Sequence, residues 1–352
     1  MAEFWRGRPV LVTGHTGFKG AWLSLWLQSL GARVAGLALP PAGSPSLYAL
    51  AAPWDGQDHA VADLRDRDAT RRALARTQPS IVFHLAAQAL VRASYRDPVE
   101  TYATNVMGTV HLLDAIRTMP SVEAVVVVTT DKVYENDSQG AAFVESDRLG
   151  GKDPYSNSKA CVELLARSFR ASFYAAGKPR LATARAGNVI GGGDWSEDRL
   201  VPDVVRALVA GGTVPLRYPG SVRPWQHVLE PLRGYLMLAE RMVTGEGTLP
   251  DAINFGPDPG NAAPVARVVE LLAGAFDGQV GWEAAPGPHP PEAAHLTLDS
   301  ALAGQALGWT PRLTLADTIG WTADWYRGWR AGGDARRLTL DQIARYEALV
   351  AS

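Results

Sequence analysis

Short β-rich runs recur along the first half of the chain, each parted from the next by a helical pattern, and this alternation leaves few folds open. "PVLVTG" reads as a strand, and "GAWLSLWLQSLG" as an amphipathic helix that stops at a glycine. "ARVAGLAL" is the second strand and "HAVADLRD" a short third, followed by the helix "RDATRRALARTQ" and a fourth strand, "SIVFHLAA". A helix through "NVMGTVHLLDAIRTM" leads to "VEAVVVVTT", the most apolar strand. The long helix "YSNSKACVELLARSFRASFYAAGK" then leads to "RLATARAGNVIG", the sixth. Parallel neighbours cannot be joined by tight turns, and the intervening helices supply the crossovers they need. The pattern therefore predicts an α/β fold, a Rossmann-type doubly wound parallel sheet.

From about Gly191 the rhythm breaks into Gly- and Pro-rich clusters: "GGGDW", "RYPGSVRPW", "NFGPDPGN" and "PGPHPPE". This suits a smaller, loop-rich C-terminal substrate lobe over the C-terminal edge of the sheet. The expected division is a nucleotide-binding Rossmann domain in residues 1–186, with 224–256 returning to it, and a mainly substrate-binding lobe in 187–352.

The charge balance, 34 basic against 36 acidic residues, offers no net field for nucleic acid or an anionic membrane. The one locally basic tract, "RGWRAGGDARR", reads as a solvated helix end. A single cysteine, Cys161, excludes an internal disulfide and a cysteine-based zinc cluster, so no metal is expected. The start, "MAEFWRGRPVLVTG", lacks the apolar core of a leader, and no apolar run approaches the ~20 residues that span a bilayer. A cytoplasmic setting is expected.

Gly14, Gly17 and Gly20 of "VTGHTGFKG" fall where the first strand turns into the first helix, with Thr16 and Phe18 between them. A dinucleotide needs this arrangement: a tight turn, close backbone approach to the pyrophosphate, and free N–H groups at a helix start. No G-K-[ST] closes the loop, which argues against a triphosphate P-loop. The acidic residue that commonly takes the ribose hydroxyls is missing, since residues 32–54 hold no Asp or Glu and no basic cluster. Asp63, followed by Leu64, suits either an adenine contact or a helix cap. Leu85, Ala86 and Ala87 of "HLAAQ" end the fourth strand with small residues that let backbone approach a cofactor, while His84 reads as packing.

Tyr155 and Lys159 of "YSNSK" are four apart near a helix start and so share a face. A phenol with pKa near 10 is a poor base until a nearby cation stabilises its phenolate. In "TTDK", at the end of the fifth strand, an acid stands beside a base, which suits either a polar turn with a local ion pair or half of an active site. Successive strand side chains face opposite sides, so Asp131 and Lys132 serve one substrate only if the backbone leaves strand geometry there.

The glycine loop, the Tyr–Lys pair and the strings "HLAAQALVRASY", "TTDKVYEN", "GGKDPYSNSK", "ARAGNVIGGGDWSEDRLVPD" and "VRPWQHVLEPLRGYLMLA" together resemble the extended short-chain dehydrogenase/reductase family. Within it the resemblance is to the nucleotide-sugar 4,6-dehydratases, most narrowly the branch whose substrate is CDP-glucose, and it runs over nearly the whole chain. It implies NAD as cofactor, oxidation of the hexose at C4, loss of water across C5 and C6, and return of the hydride to C6. It implies that Thr130 and Tyr155 bond the C4 oxygen, with Lys159 beside them, and that Asp131 is the acid for the departing hydroxyl. Lys132 stands where related enzymes carry a Glu base; it either takes the C5 proton or orients Asp131. Asn105 is implied as a helix-interior support of the site. Asn188, Arg199, Arg223, Asn254 and Glu292 are implied as substrate contacts, with His289 a further one and Arg223 on the diphosphate. A guanidinium's fork suits that anion. Trp225 and His227 are expected to serve packing or pocket shape. A homodimer or dimer of dimers through the long helices is the implied assembly.

Overall fold

The computed structural model describes residues 2–54, 58–137, 140–175, 177–245, 248–276, 280–289 and 292–351. The first six strands are β1 (Pro9–Thr13), β2 (Arg33–Ala38), β3 (His59–Val61), β4 (Ile81–His84), β5 (Ala124–Val128) and β6 (Arg180–Arg185). Later come β7 (Val189–Ile190), β8 (Val214–Leu216), β9 (Val222–Pro224), β10 (Gln226–His227), β11 (Ala252–Asn254), β12 (Ala262–Pro264) and β13 (Trp282–Ala284). Seven of them form one parallel sheet in the order β11-β6-β5-β4-β1-β2-β3. The order reverses at β1, and its pairing with both β2 and β4 places a crevice at the strands' carboxyl ends, where such sheets bind ligands.

Alternation along the strands explains why both faces are covered. In β5, Ala124, Val126 and Val128 join one core while Val125 and Val127 join the other. Leu11 of β1 faces the second core, and Val10 and Val12 face the first. A strand buried on both sides reads as an unbroken apolar run rather than an alternating one.

The first crossover helix, Phe18–Ser29, departs from the amphipathic expectation: Gly20 through Leu27 are all buried. The helix Ala335–Ala351 covers the side that periodicity assigns to solvent. The Trp26 indole donates to Glu347 Oε1 at 2.9 Å, and Trp22 to the Gly192 carbonyl at 2.9 Å.

The sixth strand is shorter than expected. β6 ends at Arg185, and Val189–Ile190 pair instead with β10, because the chain bends at Gly187 and at Asn188, which has φ +45°. β8 pairs with β13 and β9 with β12. The C-terminal region is more helical than its Gly and Pro clusters suggest, with helices Val265–Ala275, Leu315–Arg330 and Ala335–Ala351. A capping box between Thr314 and Asp317 starts the second of these. No helix among the described residues is long and apolar enough to cross a membrane.

Candidate active site

The glycine loop turns out of β1 with unequal demands on its three glycines. Gly14 has φ +74°, and a Cβ there would lie 2.7 Å from the Ala86 nitrogen. A Cβ on Gly20 would lie 2.1 Å from the Gly14 carbonyl. Both are required for packing, the first against the end of β4 and the second between loop and helix. Gly17 is exposed and has room; it leaves the helix start open to an approaching anion. Thr16 is spent on the Leu39 carbonyl (2.9 Å), Phe18 packs at the helix start, and Leu85–Ala87 form the facing wall. A cradle that a side chain at Gly14 or Gly20 would fill fits a dinucleotide's backbone-to-phosphate approach.

His15, inside the loop, fits because a Cβ on Gly36 would lie 2.6 Å from its ring. It packs edge-on against Trp54, Tyr48 and His59. Burial first, then His59, lowers its pKa to about 4. Asp63 is turned back on its own segment: its carboxylate accepts the Arg65 backbone N–H at 2.8 Å and pairs with the Arg65 guanidinium. Leu64 packs in the core beside it.

At the end of β5 the backbone leaves strand geometry. Thr130 caps a 3-10 turn, Asp131–Val133, by accepting the Lys132 N–H at 3.3 Å. The turn puts acid and base together: Lys132 Nζ is 3.5 Å from Asp131 Oδ1, to which Thr130 Oγ1 also donates at 2.9 Å. Asp131 is fully buried, and its Oδ2 has no partner. That carboxylate lies where a side chain of residue 187 would be, for a Cβ on Gly187 would come within 1.7 Å of Oδ2.

Tyr155 arrives on the helix Pro154–Phe173, started by Asp153, whose side chain accepts the Ser156 N–H at 2.9 Å. Burial pushes the Tyr155 phenol up, while Arg199 and a hydrogen bond with Thr130 pull it back. Arg199, which favours the phenolate, also donates to the Ala89 carbonyl at 2.8 Å. Lys159 Nζ donates to the Val128 carbonyl at 3.1 Å, and burial lowers its pKa to about 8 against the pull of Glu163.

Three buried scaffolds surround these groups. Asn105 lies in a π-helical segment, Ala103–Met107, a bulge that aims its amide inward. It accepts from the Gln88 N–H (2.8 Å) and donates to the Gln88 carbonyl (3.0 Å) and Ser158 Oγ (2.9 Å), tying the end of β4 to the Tyr155 helix. Glu163 accepts from Thr129, Thr183 and both forks of Arg185, with the pair only 3% and 4% exposed. His84 bridges Thr13 (2.7 Å) and Thr109 (2.9 Å), and burial lowers its pKa to about 3.

The expected substrate contacts are brought together unevenly. Asn188 follows the Gly187 bend with its side-chain oxygen buried and unpartnered. Buried Arg223 pairs with Glu292 at 3.1 Å, and Arg217 stands 3.9 Å from the same carboxylate. His289 packs edge-on against Tyr218. Asn254 is not brought to the pocket: it is fully buried, accepts from Tyr134 at 2.7 Å, and donates to the carbonyls of Phe143 and Asp299. Trp225 and His227 are buried, as expected of packing.

Sequence reasoning missed Gly187, Glu163 with Arg185, and Lys19. Lys19 had a visible signal, a cation inside the glycine loop. Its neighbours in the structure are Asp131, Lys159 and Arg199; burial first, then Arg199, lowers its pKa to about 8.

The pattern of the NAD dependent epimerase/dehydratase family matches residues 10–256. A CDP-glucose 4,6-dehydratase from Salmonella typhimurium is 44% identical over 349 residues, covering 98% of this chain and 97% of that protein. A dTDP-glucose 4,6-dehydratase from Xanthomonas campestris is 30% identical over 90% of this chain and 92% of its own length. Among solved structures, a dTDP-glucose 4,6-dehydratase from Streptomyces venezuelae with NAD bound shares 27% identity and a TM-score of 0.77, covering 92% of this chain and 98% of that one. A UDP-glucose 4-epimerase from Thermus thermophilus, also with NAD, gives a TM-score of 0.79 at 27% identity, over 91% of this chain and 99% of that one.

Proposed function

The chain belongs to the NAD dependent epimerase/dehydratase family, and from that premise we infer that it converts CDP-D-glucose to CDP-4-keto-6-deoxy-D-glucose. The observation that carries this is the Thr130–Asp131–Lys132 turn, which sets a buried carboxyl group beside the Tyr155 phenol. Bound NAD supplies the hydride acceptor at C4 and the hydride donor at C6. Gly14 and Gly20 shape its cradle, and Gly17 leaves the helix start open to its pyrophosphate.

The residues divide the remaining work. Tyr155, its phenolate favoured by Arg199 and Thr130, takes the proton of the C4 hydroxyl. Thr130 holds that oxygen in line. The C4 ketone then acidifies C5, and Asp131 gives its proton to the departing C6 hydroxyl. Lys132, 3.5 Å from Asp131 Oδ1, orients that carboxyl group or takes the C5 proton. Arg223 exchanges Glu292 for the substrate diphosphate, an anion better matched to its fork.

A 4-epimerase needs the oxidation but no acid at C6, so a buried Asp131 favours elimination. Incubation of the purified protein with NAD and CDP-, dTDP-, GDP- and UDP-hexoses tests the reading by mass spectrometry. Loss of water from CDP-glucose, with deuterium placed at C4 recovered at C6, is the expected result. Intact CDP-glucose overturns it.

We also propose a cytoplasmic homodimer. Leu164 on the Tyr155 helix is 55% exposed and Val99 77%, a face suited to a second copy. Light scattering is expected to give twice the chain mass, and a monomer at micromolar concentration would refute the dimer.

A further inference from the structure

Hydrogen bonds fix only one side of the Asp131 carboxyl group. Oδ1 accepts from Thr130 at 2.9 Å and faces Lys132 at 3.5 Å, while the buried Oδ2 has no partner. On that second side the group lies against main chain, for a Cβ on Gly187 would come 1.7 Å from Oδ2 and 2.0 Å from the carboxyl carbon. The Gly187 backbone is therefore the wall that decides where Oδ2 stands.

That wall is a bend, and one side chain grips it. β6 and β11 pair as far as Arg185 and Asn254, and the Phe255 N–H donates to the Arg185 carbonyl at 2.8 Å. Beyond this point the Gly187 and Phe255 carbonyls both accept from the Gln226 side-chain nitrogen, at 3.1 and 2.8 Å. The Gln226 backbone N–H donates to the Asn188 carbonyl at 3.3 Å. One residue thus holds the chain on both sides of Asn188, whose φ of +45° is a conformation that persists where the surroundings impose it.

Gln226 is itself firmly seated. It is 1% exposed and lies in β10, opposite Val189 of β7. The indole of Trp225, before it, donates to the Ala263 carbonyl at 3.0 Å, and the ring of His227, after it, packs between Trp22 and Trp321. Gln226 Oε1 is buried without a partner, so the amide serves the chain through its nitrogen alone. An apolar side chain there would leave two interior carbonyls without that donor.

We propose that Gln226 is a positioning residue for the elimination: through the Gly187 carbonyl it holds the backbone that aims Asp131 at the C6 hydroxyl. The inference rests on the dehydratase reading. An acid must lie within hydrogen-bond reach of the oxygen it protonates, and a displacement of about 1 Å costs about 10²-fold in rate. C4 oxidation draws on Tyr155 rather than on the Asp131 proton, so a shift of this wall separates the two steps.

The test is a single turnover of CDP-glucose by wild type, Gln226→Met, Gln226→Asn and the double variant Gly187→Ala with Gln226→Met. Bound NAD is measured in each by fluorescence titration. Absorbance of reduced nicotinamide follows C4 oxidation, and mass spectrometry of quenched samples follows water loss. Gln226→Met keeps the length of the side chain and removes its donors, so water loss is expected to slow about 10²-fold. Oxidation stays near the wild-type rate, and reduced cofactor accumulates. Gln226→Asn draws the amide back by one methylene and gives the same split in milder form; it decides the matter alone if the Met variant does not fold. Because both substitutions act on one carboxyl group, the double variant is expected to lose little more than the slower single one. Equal falls in oxidation and water loss, unchanged water loss in the folded variants, or losses that multiply in full each overturn the positioning role and leave the dehydratase reading intact. A wild type inert on CDP-glucose overturns both.

Discussion

At the scale of single residues the site depends on empty space as much as on functional groups. Gly187 is the clearest case, because the Asp131 carboxylate fills the volume its side chain would take. Gly187→Ala is therefore expected to displace Asp131 and slow water loss by about 10²-fold or more, the usual worth of a general acid. C4 oxidation should suffer less, so reduced nicotinamide builds up in a single turnover; parallel loss of both steps would count against it. Lys159 gives a second expectation with opposite signs for activity and stability. The family resemblance implies a cationic Lys159 beside the C4 oxygen, and burial lowers its pKa to about 8, so turnover is expected to fall as pH rises through that value. Between about 8 and the ordinary 10.5 the unfolded chain binds more protons than the folded one, so this group's contribution to stability rises with pH. Sequence singles out Thr130, Asp131, Tyr155 and Lys159 through the family resemblance, because residue type and short spacing alone suit a polar turn or a helix-face pair as well. It could not reveal Gly187, whose necessity arises from a contact made far away in sequence.

At the scale of elements, the βα alternation was readable because a doubly covered parallel sheet writes itself as apolar runs between helices. What periodicity could not show was which helices would be covered a second time, and so Phe18–Ser29 read as amphipathic although Gly20–Leu27 are buried. The break after β6 was equally silent, since Gly187 and Asn188 look like any strand end. The joints between elements rest on buried polar groups, and the Glu163–Arg185 pair shows the cost of disturbing one. Its forked bonds tie the Tyr155 helix to β6, and Thr129 at the end of β5 shares the same carboxylate. Glu163→Ala leaves the buried Arg185 guanidinium without its carboxylate, keeping only Tyr134 and the Glu145 carbonyl, which is expected to cost about 3–5 kcal/mol in urea denaturation. An unchanged denaturation midpoint would show that water or a new partner takes over the role.

At the scale of the whole molecule, acid should unfold the chain through its buried imidazoles. His84 and His227 are lowered to about 3 and His15 to about 4, in each case chiefly by burial, from an ordinary 6.5. As pH falls below 6.5 the unfolded chain takes up protons that the folded one refuses, so stability declines steadily toward pH 4. The urea midpoint measured across that range should fall, and His227→Phe, which swaps a ring packed between Trp22 and Trp321, should make the decline shallower. Trp26 is seated under Glu347 and Tyr346. The helix that opens the cofactor loop is roofed by a segment made roughly 300 residues later, or roughly 15–60 s at ordinary rates of synthesis. Until then Trp26 lacks Glu347 and Tyr346, whereas Trp22 already has Gly192 and His227. A ribosome stalled before Ala335 would accordingly hold a nascent protein whose sheet has every strand but whose first crossover helix still lacks its cover at Trp26.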